Sequence, residues 1–334
     1  MLPSPITFKA LSVPSRAAAV HGIKRPPLPS NPGIRYILDI VIDTKRKIEG
    51  EEKIIKAAGK AVIIDPFEVD INLHFELAAL TYDFNESALT RKLAQKMGKI
   101  YRPVGYPLRE IVARYPGAIF ASDGQTDQLL ANNNAMVKDG RLYTRITPGV
   151  QAKTLAPLNG RHTFFVFDPG KIGLIDVVFE NGQPVNNDTI NFRNGFNGPV
   201  LIREGKRQDD QLIVAEKDQP NNRPNELLWD HTTRPAAQSA VGIVEQNGRK
   251  MLVFVALKGD PKKDNECLVA DLVDVLLKLK VSEAMLLGVS GDVQQFVQHP
   301  DPKNAWLIAR PRPGSSLALQ GDRPLAIAIV ATKK

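Results

Sequence analysis

A single cysteine, Cys267, stands in a chain of 334 residues. That excludes an internal disulfide framework and any zinc site built on paired thiolates, whatever the compartment. Histidine is nearly as scarce. His21, His74, His162, His231 and His299 are scattered, and no two have the i, i+4 spacing that puts a ligand pair on one helical face. No metal and no cofactor is therefore expected. Aromatic residues make up 6% of the chain, and no RNA-binding sheet signature, helix-turn-helix pattern or Cys/His finger occurs, which argues against specific nucleic-acid reading. No stretch approaches the ~18 consecutive apolar residues of a membrane span, and MLPSPITFKALSVPSRAAAV lacks the apolar core of a signal peptide, so a soluble chain without a span is expected. There is no G-x-S-x-G elbow. Gly198 and Gly205-Lys206 do not make a P-loop either, because their spacing is longer than that motif's and no Ser or Thr follows the lysine.

What the chain does have is an ordinary globular balance, with 43% hydrophobic and 24% charged residues, and an uneven excess of positive charge. Of the net +8, most falls in residues 1 to 60, where eleven Lys/Arg face five acids. A basic first sixth attracts anionic partners by general electrostatics, and it is equally what a solvated basic tail looks like. Residues 1–33 carry Pro3, Pro5, Pro14, Pro26, Pro27, Pro29 and Pro32, which oppose helix and sheet pairing and predict an extended arm available for protein assembly contacts. Arg35 to Asp43 (RYILDIVID) reads as a strand, Lys45 to Ala58 as a charged segment with helical character, and Ala61 to Ile64 as a second strand. A helix is expected from Asn85, through Leu89, Leu93 and Met97, to Gly98. Residues 34–116 thus read as an N-terminal α/β part of the fold, and 117–334 as its main domain.

Beyond residue 117 the pattern becomes strand, tight turn, strand: Val137–Ile146, Thr163–Val185, Gly198–Arg207 and Val241–Leu257. In the last, Asn247-Gly248 supplies the two positive-φ positions of a type I′ turn. Asn265 to Lys280 places Leu268, Leu272, Val275, Leu276 and Leu279 on one stripe of an amphipathic helix. Cys267 on that stripe reads as a packed core thiol. His231, beside Trp229, Asp230 and Arg234, reads as a loop contact more readily than as a catalytic base. Strands are expected at Ala284–Leu287, Val293–Val297, Trp306–Ala309 and Leu325–Val330. The fold class predicted is α+β, a mixed β-sheet core with packed helices.

The order of segments from GPVLIREGKR, through RPAAQSAVGIVEQNGRKMLVFVALKG and the helix ending LKLKVSEAMLL, to GVSGDVQQF and GDRPLAIAIV is similar to that of the phosphodiester glycosidase family. The resemblance covers roughly Ile119 to Val330. Gly198-Pro199, Gly205 and Arg323-Pro324 match the family's motifs. Gln238 and Ser239 stand in place of its Arg-Thr pair, and Gly288-Val289-Ser290-Gly291-Asp292 in place of its Asp-Gly-Gly-Gly-Ser loop, where only Gly291 stays in register.

The resemblance implies cleavage of a sugar from a phosphodiester. That chemistry wants a carboxylate near the anomeric carbon, for which Asp292 and Asp123 are the candidates, and a cradle for the phosphate. Arg234, Arg323, Ser290 and Gly291 are the candidates for the cradle, with Gln238 and Ser239 as further substrate contacts. Two readings stand. One is a hydrolase of sugar phosphodiesters. The other is a non-catalytic descendant of the fold, favoured by the replaced motifs, that binds a glycan or anion or serves as a structural protein in an assembly such as a phage or secretion-type particle.

Overall fold

The computed structural model describes residues 6–12, 31, 33–48, 51–75, 106–124, 135–144, 160–181, 183–185, 190–208, 236–259, 267–289, 293–299, 305–308, 325 and 327–334. In chain order the first elements are β1 (Ile6–Ser12), β2 (Ile34–Ile48), β3 (Glu51–Ile64), β4 (Val69–Phe75), α1 (Leu108–Ala113), β5 (Ala118–Asp123), β6 (Ala135–Lys138) and β7 (Arg141–Thr144). Then come β8 (Gly160–Val166), β9 (Gly173–Glu180), β10 (Gln183–Pro184), β11 (Gly195–Asn197), β12 (Val200–Arg203) and β13 (Lys206–Arg207). The chain continues with β14 (Gln238–Gln246), β15 (Arg249–Gly259), α2 (Val269–Lys278), β16 (Val281–Val289), β17 (Gln295–Val297), β18 (Trp306–Ile308) and β19 (Ile327–Lys333).

These strands form three sheets. The largest has the order β1-β2-β3-β15-β14-β16-β12-β13, the second β10-β9-β8-β11-β6-β7, and the third β18-β17-β5-β19-β4. The named strand pairs are antiparallel. The expected α+β class is therefore corrected: among the described residues strand accounts for 64% and helix for 9%, in several antiparallel sheets with a half-barrel. The difference lies largely in Lys45–Ala58, which is strand of β2 and β3 and not a helical surface. Its charges are cross-strand partners. The β2–β3 register sets Asp43 opposite Lys56 and Asp39 opposite Lys60, and Lys45 reaches Glu52 at 2.8 Å. Alternating Lys/Glu along two paired strands resembles an i, i+4 ladder until the pairing is known.

Within the proline-rich arm, Ile6–Ser12 pairs with β2, so that part of the arm is extended but joined to a sheet. The seven residues lie between Pro5 and Pro14, and every one keeps its backbone N–H. Strands from the N-terminal region complete sheets built mostly from the C-terminal one, β3 beside β15 and β4 beside β19. The helix expected from Asn85 to Gly98 lies outside the described residues. The hairpin at Asn247-Gly248 is present, with Gln246 paired to Arg249 and φ of 51° and 73° at the two turn residues. The helix expected in Asn265–Lys280 is α2, whose first turn is closed by the Leu268 N–H donating to the Asp271 carboxylate at 2.9 Å.

The three sheets meet in one core. β15 reads KMLVFVAL because both of its faces are buried: Leu252 and Phe254 point into the space between sheets, while Val253 and Val255 face α2. Across that space Phe120 of β5 meets Phe254, with ring centroids 4.8 Å apart at 44°. Phe165, Phe167 and Phe196 extend the same cluster toward the six-stranded sheet. On its other side β5 puts Ala121 against α1, whose Leu108 and Ile111 are fully buried.

Phe254→Ala removes the ring through which two sheets touch, and we expect it to lower the free energy of urea unfolding by about 3–5 kcal/mol. Val178→Thr, at an exposed position of β9, is expected to stay within about 0.5 kcal/mol.

Candidate functional site

β5 is buried along its whole length and ends on a carboxyl. Its sequence AIFASD gives the strand apolar anchors up to Ala121, and then two polar residues where it leaves the core. Asp123 is flanked on one side by β19, whose Ala328 is its register partner, and on the other by the segment entering β17. The Asp123 N–H donates to the Gln294 carbonyl at 3.0 Å, and the Gln294 N–H donates back to Asp123 Oδ1 at 3.2 Å. The Ser122 hydroxyl donates to the same oxygen at 3.1 Å.

The other carboxyl oxygen crosses to the eight-stranded sheet. Ser239 Oγ, on the second residue of β14, lies 2.5 Å from Asp123 Oδ2, 2.7 Å from the Gly288 nitrogen and 3.0 Å from the Gly288 carbonyl oxygen. The Gly288 N–H donates to Oγ, which leaves one hydroxyl proton and two acceptors. With Asp123 ionised, that proton goes to Oδ2. With Asp123 neutral, the carboxyl proton is donated to Oγ and the hydroxyl turns to the Gly288 carbonyl, so each group finds a partner in both states. Asp123, Ser239, Ser122 and Gln238 are all buried at 0% exposure. Burial pushes the Asp123 carboxyl up to about 7, against the pull of the Ser239 hydroxyl, the Gln294 N–H and the Ser122 hydroxyl.

Gly288 is what permits the approach. A Cβ there would sit 2.0 Å from Asp123 Oδ2 and 3.2 Å from Ser239 Oγ. Gln295, the next residue after Gln294, pairs in register with Ser122 and is fully buried, and neither end of its amide has a hydrogen-bond partner among the described residues.

Of the residues nominated from sequence, the structure brings Asp123 and Ser239 into direct contact and places Gln238 beside them as the first residue of β14, paired with Val289. Arg234, Ser290, Gly291, Asp292 and Arg323 lie outside the described residues, as does His231. Cys267 is a core thiol, donating to the Ala236 carbonyl at 3.3 Å, with burial pushing its pKa well up. Sequence reasoning did not nominate Gly288, Ser122, Gln294 or Gln295. Gly288 heads the GVSGD segment, but a glycine needed for close approach to a partner distant in sequence leaves no local mark. Among the described residues no cluster of three His, Cys, Asp or Glu could hold a metal ion, and no helix is long and apolar enough to cross a membrane.

Among solved structures, the chain is similar to the zebrafish N-acetylglucosamine-1-phosphodiester α-N-acetylglucosaminidase catalytic domain, auto-inhibited by its pro-peptide. The TM-score is 0.53 at 11% identity, over 98% of this chain and 88% of that one. A hypothetical protein from Synechocystis is similar at TM-score 0.45 and 13% identity, over 100% of this chain and 69% of that one. A Burkholderia pseudomallei protein is similar at TM-score 0.48 and 10% identity, over 86% and 76%. No protein-family model and no curated protein matches the chain. At 11% identity the first likeness is one of fold.

Because the native state holds a proton on Asp123 up to pH about 7 while the unfolded chain releases it near 4, the native state binds more protons across that window. The contribution of this group to stability is therefore full below pH ~4 and declines as pH rises to ~7. Asp123→Asn is expected to lack that slope, so the difference between variant and wild-type unfolding free energies, measured by urea titration from pH 4 to 8, should change across the window from about pH 4 to 7 and be flat above it. Gly288→Ala is expected to cost about 1–3 kcal/mol by overpacking and, in the same titration, to shift the pH-dependent window by pushing Asp123 from Ser239.

Proposed function

We propose that the chain is a glycosidase-like hydrolase that cleaves the bond between a sugar's anomeric carbon and the phosphate of a phosphodiester. The observation that carries this reading is Asp123, a buried carboxyl that burial pushes up to about 7 and whose Oδ2 lies 2.5 Å from the Ser239 hydroxyl oxygen. A carboxyl poised near the operating pH is what acid–base work selects for. The fold likeness to an N-acetylglucosamine-1-phosphodiester α-N-acetylglucosaminidase catalytic domain supports the substrate class.

In the reaction a water oxygen bonds to the anomeric carbon, the bond from that carbon to the phosphate oxygen breaks, and the phosphate monoester leaves with the bonding pair. Such a leaving group needs little protonation, so the proton lost by water is the one that needs an acceptor. Ionised Asp123 takes it by relay: water gives its proton to Ser239 Oγ as the hydroxyl proton passes to Oδ2. Asp123 and Ser239 are shut off from bulk solvent, so charge at the carboxyl acts in a low-dielectric setting, and the relay requires the substrate's water to reach the one acceptor position on Ser239 Oγ that the Gly288 N–H leaves open. Arg234 and Arg323 are proposed as the guanidinium forks on the phosphate, Ser290 and Gly291 as backbone donors, Gln238 as a sugar contact, and Asp292 as the carboxylate at the developing positive charge.

A second reading has its own observation. All the oxygen atoms of the Asp123 carboxyl are satisfied inside the protein, so the same contact is also a clamp between two sheets, as a non-catalytic glycan- or anion-binding or structural descendant would keep it. One assay separates the two. With UDP-N-acetylglucosamine as substrate, hydrolysis predicts release of free N-acetylglucosamine at a rate that falls as pH drops through about 7. Asp123→Asn and Ser239→Ala are expected to lower it by about 100-fold or more, and Arg323→Ala to abolish it. No release by the folded wild-type chain, on this substrate and on a simple alkyl phosphodiester of the sugar, would leave the binding reading in place.

A further inference from the structure

A concave region lies at the end of the β14–β15 hairpin opposite Ser239. Ser239 and Gln246 are seven residue steps apart along β14, which at about 3.3 Å per step puts the two ends roughly 23 Å apart. At the turn end, a cleft of about 600 Å³ opens between the hairpin tip, the β8–β9 connection and the turn before β4. That is within the ~300–1,000 Å³ range of small-molecule sites.

Its walls are held by specific contacts. The Glu283 carboxylate accepts the Leu174 N–H at 2.7 Å, and the Lys250 ammonium donates to the Ile172 carbonyl at 3.2 Å, so the β8–β9 connection is pinned to the large sheet from both sides. Gly173 makes this possible, since a Cβ there would lie 2.6 Å from the Glu283 carboxylate.

Two features give the cleft its chemistry. Phe67 is 43% exposed at its edge, a large apolar ring left facing solvent. Arg249, also 56% exposed in its side chain, holds its guanidinium 5.7 Å from the Phe67 ring centroid and makes one long contact, 3.4 Å, to Asp65. Asp65 is already paired at 2.7 Å with Arg35. A guanidinium has five N–H donors, and among the described residues the Arg249 guanidinium has one carboxylate contact, to Asp65. Lys171 and Lys250 also line the cleft, each with its ammonium on a backbone carbonyl, of Asn191 and Ile172. Glu283 is the carboxylate among the lining residues and is engaged by the Leu174 N–H, while Asp65 lies behind Arg249 and is shared with Arg35. An excess of fixed positive charge around a concave, partly apolar surface concentrates anions there.

We propose that this cleft binds a phosphorylated ligand carrying a flat ring, of the nucleoside diphosphate class, with the ring laid on Phe67 and the phosphates taken by the Arg249 fork and the lysines beside it. The ring supplies the match to the exposed aromatic face and the phosphates the match to the fork, so neither half alone satisfies the site. This binding is independent of the hydrolase reading and of the Asp123 contact.

Calorimetric titration of the full chain with ADP, adenosine and pyrophosphate tests it. ADP is expected to bind about tenfold or more tightly than either fragment, a difference of roughly 1.4 kcal/mol. Arg249→Ala is expected to weaken ADP binding by about tenfold with partial recovery in Arg249→Lys, and Phe67→Ala to weaken ADP but leave pyrophosphate unchanged. Circular dichroism of each variant checks that it folds. Absence of ADP binding at millimolar concentration overturns the proposal. So does binding that survives both Arg249→Ala and Phe67→Ala, or that is lost in Ser239→Ala and kept in Arg249→Ala, since the ligand would then occupy the other end of the hairpin.

Discussion

The contact of the five-stranded sheet with the eight-stranded sheet is the constraint on which the rest of this molecule depends. It is apolar in the middle, where Phe120 meets Phe254, and polar at one end, where the Asp123 carboxyl meets the Ser239 hydroxyl and the Gly288 backbone. The two parts need each other. The aromatic packing fixes the separation of the sheets to within a fraction of an ångström, because interiors packed to crystal density do not slide freely. Only at that separation does Oδ2 reach Oγ at hydrogen-bond distance, with no room for a side chain at position 288.

The polar end is costly in the same way that it is useful. Burying a carboxyl among strands is opposed by desolvation, and three hydrogen-bond donors offset only part of that, so the proton is held up to near neutrality. A fully apolar replacement would be easier to stabilise, as buried ionisable groups commonly are. The Gln295 amide, buried beside Ser122 with no partner among the described residues, adds a second unfavourable group to the same few residues. Concentration of two such groups on the neighbouring strands β5 and β17 is a pattern that packing alone does not favour and that sites of ligand or proton chemistry often show.

The sequence carried the hairpins and the amphipathic helix plainly, because Asn247-Gly248 and the Leu272–Leu276 stripe are local signals whose physics is complete within a dozen residues. It misled at Lys45–Ala58, where the same spacing of charges serves a helix face or two paired strands, and only the partner strand decides. Asp123 was nominated by the chemistry that the family resemblance requires, and Ser239 by its place in a motif. Their mutual contact spans 116 positions of sequence, a distance over which no periodicity or spacing rule operates. Gly288 was hidden for the same reason: its need to be glycine arises from an atom of Asp123, not from its own φ.

The β14–β15 hairpin ties the two ends of the molecule together without making them one site. Nine register pairs join its strands, and neighbours on both sides, β3 and β16, hold it in place. A two-stranded unit flanked in this way is stiff along its length, so a ligand on the turn at Gly248 has little means of displacing Ser239 except by moving the whole sheet. Coupling between sites needs an element with two arrangements of similar energy. A hairpin interior whose Leu252, Val253, Phe254 and Val255 are all fully buried does not provide one. Ligand binding at the cleft and proton exchange at Asp123 are therefore expected to be energetically separate, which is why substitutions at one end report on that end alone.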